Sequence, residues 1–162
     1  MATRYDDGLS VRAIYAAEDA VVALIDAGGL VEFHSSTLDL RDCRIARFAP
    51  PQVHLMQGIV DGLYQANHSP GLPVRPPTLR ISERLHRRAM YCRAPHEIVL
   101  PRHGEWAWSM PVLLHETSHS LSGGSHNQRS AHGHQWRKMY ASLVSQAIGP
   151  EAGLLLMDAF DL

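Results

Sequence analysis

The chain has few of the features that mark specialised classes of protein. Its 162 residues include two cysteines, Cys43 and Cys92, which lie far apart and form no CxxC pair. The sequence therefore excludes a disulfide framework and a thiolate zinc site, and favours free thiols. The formal net charge is -1 and the charged fraction is 19%. This balance gives no field that attracts nucleic acid or an anionic membrane surface, so it argues against both partners.

Long apolar runs are also absent. No segment approaches the roughly 20 apolar residues that a membrane-spanning helix needs. The first ten residues contain acidic side chains and lack the apolar centre of a signal peptide. Apolar residues nevertheless make up 45% of the chain, as in an ordinary soluble globular protein. We therefore expect a cytoplasmic protein with a single hydrophobic core.

The spacing of apolar residues, and the glycines and prolines between the apolar segments, predict an α+β architecture. Helices are predicted over 10–27, 52–66, 108–121, 133–148 and 151–160, and strands over 30–38, 78–82, 89–93 and 96–100. A proline-rich connection follows residue 67. We expect one domain over 1–162, with an N-terminal helical part of about 1–67, a core of about 78–148 and a C-terminal helix over 150–160.

The segment His115-Glu116-Thr117-Ser118-His119 has the HExxH pattern and lies inside a predicted helix. Residues four positions apart lie one turn apart on the same helix face, so the two imidazoles can chelate one metal ion. The intervening glutamate faces the metal-bound water and can take its proton. The chain also has 11 histidines, and histidine is the commonest metal ligand. We expect His115 and His119 to bind Zn2+, with Glu116 as general base.

A third ligand is expected nearby, because a catalytic zinc usually takes three protein ligands and keeps one position open. After a polar loop, the segment HGHQW opens the next predicted helix. A histidine at that helix start can fold back over the glycine-containing loop to reach the metal. His132 and His134 stand at that helix start and His126 lies in the loop, so the spacing leaves these three candidates open.

HETSH followed by HGHQW after a short polar loop resembles the SprT-like group of zinc metallopeptidases, in which HExxH precedes HGxxF or HGxxW. It is also similar to small HExxH metallohydrolases of actinobacteria and phages. The resemblance covers about residues 78–140. It implies a minimal zincin-like core, the zinc ligands His115, His119 and His132, and Glu116 as general base. The position after the glycine, often proline in that group, is His134 here. The sequence shows no cysteine-rich ribbon or basic DNA-binding extension, so a DNA-linked role is not carried over.

These motifs predict a zinc-dependent hydrolase, and most specifically a metallopeptidase that cleaves peptide bonds by Glu-assisted attack of zinc-bound water. The expected partner is a peptide or protein substrate. One alternative is a structural zinc domain that binds a partner without turnover, which a fourth protein ligand would indicate. Another is a hydrolase of a non-peptide amide or ester.

Several neighbouring residues receive predictions of their own. The strand over 96–100 is expected to border the cleft and to pair with an extended peptide. Trp136 is expected to pack its helix against the HExxH helix. Tyr140 is interpreted as a core or surface residue, with donation to the oxyanion as the alternative. The basic run ERLHRR, which ends at Arg88, is interpreted as a solvated face.

Overall fold

A computed structural model describes residues 9–84, 88–123 and 131–162 of the chain. Within these ranges the structure contains five α-helices and five strands, so the predicted α+β class is confirmed. The helices are α1 (Val11–Ala27), α2 (Val53–Asn67), α3 (Met110–Leu121), α4 (His134–Ala147) and α5 (Pro150–Ala159). The strands are β1 (Leu30–Phe33), β2 (Ser36–Asp39), β3 (Thr78–Ser82), β4 (Met90–Cys92) and β5 (Glu97–Pro101).

The helices begin and end close to their predicted bounds because local signals fix them. Ser10 caps α1, where its hydroxyl oxygen accepts a hydrogen bond from the Ala13 backbone nitrogen at 3.1 Å. α3 begins two residues later than predicted, because Ser109 has extended backbone angles and Pro111 occupies the first turn. No helix in the described ranges is long and apolar enough to cross a membrane.

The strands form two small sheets. β1 and β2 make an antiparallel hairpin in which Leu30 pairs with Asp39. The single strand predicted over 30–38 is therefore wrong. The chain reverses inside that segment, where His34 has a φ of 51°. The second sheet has the order β3-β5-β4, in which β3 runs parallel and β4 antiparallel to β5.

β5 is the central strand of the second sheet, with β3 on one side and β4 on the other. The prediction that the strand over 96–100 pairs with an extended peptide is therefore wrong, since both of its edges already carry hydrogen bonds. The apolar run from Ile98 to Leu100 is typical of a strand buried on both faces. β4 is the edge strand on the side of the HExxH helix.

Buried apolar side chains from the N-terminal and C-terminal parts of the chain form one cluster, which extends from Ile14 in α1 to Phe160 after α5. α3 lies inside this cluster, with Leu113 and Leu114 fully buried. Its small polar residues are also buried without loss of hydrogen bonds. The hydroxyls of Thr117 and Ser118 donate to backbone carbonyls one turn earlier, each at 2.7 Å. The core therefore holds the HExxH helix rigidly on most of its surface.

α4 and α5 approach closely at Gly153, and we expect Gly153→Ala to lower the free energy of unfolding by about 1–3 kcal/mol. A Cβ there would lie 2.6 Å from the Cβ of Ser145 and 3.0 Å from the carbonyl oxygen of Ala141. Gly62 in α2 is the matched control, since a Cβ there would meet nothing within 4 Å. Gly62→Ala is expected to stabilise the protein by about 0.5–1 kcal/mol. Urea unfolding measures both changes, and a stabilised Gly153→Ala protein would contradict the close approach.

Candidate metal centre

Three histidines from two parts of the chain meet at the surface of α3. His115 and His119 lie one turn apart on α3, and His132 lies just before α4. One ligand nitrogen from each residue lies within 4.8 Å of the other two. The Nε2 atoms of His115 and His132 are 3.1 Å apart. Two nitrogens of a tetrahedral site with metal–nitrogen bonds of about 2.0–2.1 Å lie about 3.3 Å apart. The cluster therefore fits one metal ion with little movement.

The structure distinguishes the candidates for the third position. His132 belongs to the cluster, as the HGHQW motif suggests. His134 begins α4, where its side chain is exposed, and it is not a member of the cluster. His126 lies outside the described residues, so the structure does not place it. Of the two described candidates, His132 alone is close enough to share a metal ion with His115 and His119.

Two of the imidazoles are in the neutral state that metal binding requires. Burial, and then the charges of His115 and His132, lower the pKa of His119 to about 2. Burial, and then the charge of His115, lower the pKa of His132 to about 4. Both side chains are therefore neutral at neutral pH, which is the form that binds a metal.

Glu18 of α1 is a further functional candidate, which the two sequence motifs do not indicate. Its Oε1 atom accepts a hydrogen bond from Nδ1 of His115 at 2.7 Å, and both side chains are almost completely buried. Burial lowers the pKa of His115, but the hydrogen bond and the charge of Glu18 outweigh it, so the net direction is upward. Because Nδ1 carries the hydrogen, Nε2 is left as the atom that faces the cluster.

A sequence signal for Glu18 does exist. The buried apolar residues of α1 are Ile14, Val21 and Ile25. Glu18 falls between them at helical spacing, so it places a carboxylate in the middle of an apolar stripe. A charged residue in such a position is rarely buried without a partner. The pattern indicates that a partner exists, but it does not identify His115.

Aromatic rings close the cluster on the side of α4. Trp136 is 2% exposed, and its ring centroid lies 4.6 Å from His115, 5.3 Å from His119 and 4.5 Å from His132. The prediction that Trp136 packs α4 against the HExxH helix is therefore confirmed. Tyr140 stacks on Trp136 at 5.1 Å and is also 2% exposed. Tyr140 is therefore a core residue, which agrees with its interpretation from the sequence as a core or surface residue.

Glu116 lies beside the histidines and is held by the edge strand. Its Oε2 atom accepts a hydrogen bond from the backbone nitrogen of Tyr91 in β4 at 2.7 Å. Burial raises the pKa of Glu116, while the charge of His115 and the Tyr91 hydrogen bond oppose the rise. The side chain is buried, yet it borders the open cleft described next. One carboxylate oxygen is thereby fixed at the site.

Two neighbouring pockets with shared walls form the two lobes of a cleft beside the cluster; His115 borders both lobes and His119 borders the smaller one. The larger lobe has a volume of about 620 Å³ and the smaller one about 310 Å³. Both lobes are bordered by Tyr15, Arg88, Ala89, His115 and Glu116. Arg88 is exposed, as the solvated-face interpretation of ERLHRR predicts, while residues 85–87 of that run lie outside the described residues. A ligand in either lobe can therefore contact His115 and Glu116.

Apolar side chains form much of the wall of the larger lobe, among them Val22, Ile45 and Val112. Trp106, which is 52% exposed, also borders this lobe. Trp108 is buried instead, and its Nε1 atom donates to the carbonyl oxygen of Pro101 at 2.9 Å. Of these two tryptophans, Trp106 is therefore the one that a ligand in the cleft can touch.

Comparisons with protein families, with curated proteins and with solved structures found no match. The similarity to the SprT-like group therefore stays a prediction from the two motifs. The structure itself shows three imidazoles close enough to hold one metal ion, with a buried carboxylate and an open cleft beside them.

Proposed function

We propose that this protein is a zinc-dependent hydrolase, and specifically a metallopeptidase that cleaves peptide bonds. The observation that supports this best is the position of Glu116. This residue lies next to three clustered histidines and also borders a cleft large enough for a substrate. A general base and a metal-binding cluster on one cleft wall are what hydrolysis of an amide requires.

Zinc is the metal that this donor set favours. Three imidazoles and no thiolate are typical of catalytic zinc sites, which keep one position open. Imidazole also suits copper, iron and nickel, so the donor set alone does not exclude them. Within the described residues, His115, His119 and His132 form the only such group, with no fourth member. His134, one of the two histidines that could close the site, is therefore not a fourth ligand here, and His126 lies outside the described residues.

Zinc, when bound, polarises the substrate carbonyl and makes water a stronger nucleophile. Glu116 accepts a proton from the attacking water as the oxygen–carbon bond forms. It then passes this proton to the nitrogen of the leaving amine as the carbon–nitrogen bond breaks. The Tyr91 backbone nitrogen fixes one oxygen of Glu116 throughout. Glu18 keeps the ring of His115 in one orientation.

The outer edge of β4 supports a peptide as the substrate, through the backbone groups of that edge other than the Tyr91 nitrogen, which already donates to Glu116. The backbone nitrogen of Tyr91 donates to Glu116 and not to β5, so this edge of the strand faces the candidate site. An extended chain can add to an exposed strand edge through backbone hydrogen bonds. The HETSH and HGHQW motifs, which resemble those of SprT-like peptidases, support the same substrate class.

Metal analysis followed by hydrolysis assays tests the proposal. Protein purified without added metal is expected to carry about one zinc per chain. It should cleave labelled casein, lose this activity in 1,10-phenanthroline and regain it with zinc. Folded protein that takes up no zinc would refute the metal centre. Zinc-loaded protein that cleaves no protein, peptide or small amide would favour the structural zinc domain.

We expect Glu18→Gln to weaken zinc binding about 10- to 100-fold, the usual effect of losing a carboxylate that orients a ligating histidine. Glutamine can still accept a hydrogen bond, but it removes the negative charge beside His115. Competition with a chromophoric chelator measures the affinity. Asp19→Asn is the control, since Asp19 is the next residue on α1 and is exposed. Equal affinities in Glu18→Gln and wild type would remove Glu18 from the metal centre.

A further inference from the structure

Amide hydrolysis places negative charge on the substrate carbonyl oxygen, and a hydrogen-bond donor aimed at that oxygen accelerates the reaction. The proposed function leaves this donor unassigned. We propose that Tyr15 is a catalytic residue whose hydroxyl donates a hydrogen bond to the carbonyl oxygen of the scissile bond. This inference rests on the proposed hydrolase function, and it assigns a reacting group to α1.

The ring of Tyr15 lies against two of the three clustered histidines. It stacks on His115 with a centroid distance of 5.6 Å and an angle of 6° between the ring planes. It also meets His132 edge-on at 5.9 Å. The side chain is 42% exposed in spite of these contacts, and it borders both lobes of the cleft. A substrate in either lobe can therefore contact this ring.

The phenol lies close to a reacting group. Tyr15 and Glu116 both border the two lobes of the cleft. Glu116 is the proposed general base, so the phenol and the base share one region of the cleft. A tyrosine hydroxyl is both a donor and an acceptor, and can therefore donate to an oxygen that gains negative charge.

Other donors near the cleft fit this role less well. Tyr140 borders the larger lobe, but it is 2% exposed and stacks on Trp136, so it offers little surface to a substrate. The hydroxyl of Ser109 already donates to the carbonyl oxygen of Trp106 at 3.0 Å. Arg88 borders both lobes, but its side chain is exposed and must be ordered before it can act. Tyr15 is held in place by its stack, and such preorganisation is what makes a donor effective.

α1 then supplies two groups from one face. Tyr15 and Glu18 are three positions apart, so they lie one above the other on the helix. Glu18 accepts the hydrogen bond from Nδ1 of His115, while the ring of Tyr15 stacks on the ring of the same histidine. The N-terminal part of the chain, which lies outside the motif resemblance, therefore completes the reacting centre.

Tyr15→Phe tests the proposal, because it keeps the ring and removes only the hydroxyl. With zinc-loaded protein and labelled casein, kcat is expected to fall about 100-fold. KM and the affinity for zinc are expected to stay unchanged. In cobalt-substituted protein the affinity for azide, read from the visible spectrum, is expected to fall about 10-fold, because the anion loses a donor. Tyr64→Phe is the matched control, because it removes a phenol that donates to the carbonyl oxygen of Pro73 and borders neither lobe of the cleft.

The outcomes separate this inference from the proposed function. An active wild type and an equally active Tyr15→Phe protein would overturn the role of Tyr15 and leave the hydrolase intact. A loss of zinc affinity as large as the loss of kcat would make Tyr15 a metal ligand and also overturn the inference. A wild type that binds zinc and cleaves nothing would overturn the proposed function itself.

Discussion

Glu116→Gln protein is expected to keep its zinc and to lose hydrolysis by about 10²- to 10⁴-fold in kcat. Glutamine has the shape of glutamate, and its carbonyl oxygen can still accept the hydrogen bond from the Tyr91 backbone nitrogen. It cannot take a proton from water, so the reaction loses its base. The fold should not suffer, since the substitution removes a buried carboxylate whose ionisation burial opposes.

Three measurements check this expectation: zinc per chain, the unfolding midpoint in urea and the rate of casein cleavage. Glu32→Gln is the control, because Glu32 is an exposed glutamate on the β1–β2 hairpin. It should match the wild type in all three. A Glu116→Gln protein with undiminished kcat would exclude Glu116 from the reaction, even if the metal site itself is correct.

Replacing His132 is expected to weaken zinc binding more than any change outside the cluster. His132→Ala removes one of three clustered imidazoles, so we expect a loss larger than the roughly 10- to 100-fold effect of removing an orienting group. His134→Ala is the matched control, since it lies two positions away, is exposed and is outside the cluster. Its zinc affinity should equal that of the wild type.

Chelator competition on the two proteins decides between the candidates. If His134→Ala loses more affinity than His132→Ala, the third ligand is His134 and the loop before α4 rearranges on metal binding. If both variants keep full affinity, the third ligand is a residue outside the cluster, and His126 is then the next histidine to replace. Circular dichroism of each variant confirms that the fold is retained.

The sequence predicts the local part of this centre well because helical spacing is a short-range property. His115 and His119 share a face of α3 through the geometry of the helix alone. His132 follows from the short connection to α4. Glu18 lies 97 residues before its partner His115, and no periodicity encodes that contact. The sequence does not single out Tyr15 either, since its spacing in α1 resembles that of any half-buried helical residue.

For the strands, too, the sequence predicts local features and not the contacts between distant segments. The sequence locates β3, β4 and β5 to within a residue or two, because glycine, proline and alternating apolar residues mark their ends. It does not give their order in the sheet. β5 follows β4 in the chain, yet it lies between β3 and β4. This order decides which strand has an edge beside the cleft. The local pattern therefore could not show that the strand over 96–100 is central and unable to pair with a peptide.

The contact between Glu18 and His115 determines the stage of folding at which the candidate centre is complete. A loop of 97 residues must close before this pair meets, and such closure comes late because local contacts form faster than distant ones. A nascent chain makes α1 long before it makes α3, and it gains the carboxylate, the imidazoles and the covering phenol together only when its two halves dock. A fragment trimmed to the stretch around the two motifs would keep the three clustered histidines and lack Glu18 and Tyr15. Hydrolytic competence would in that case be a property of the assembled tertiary structure and not of the motif.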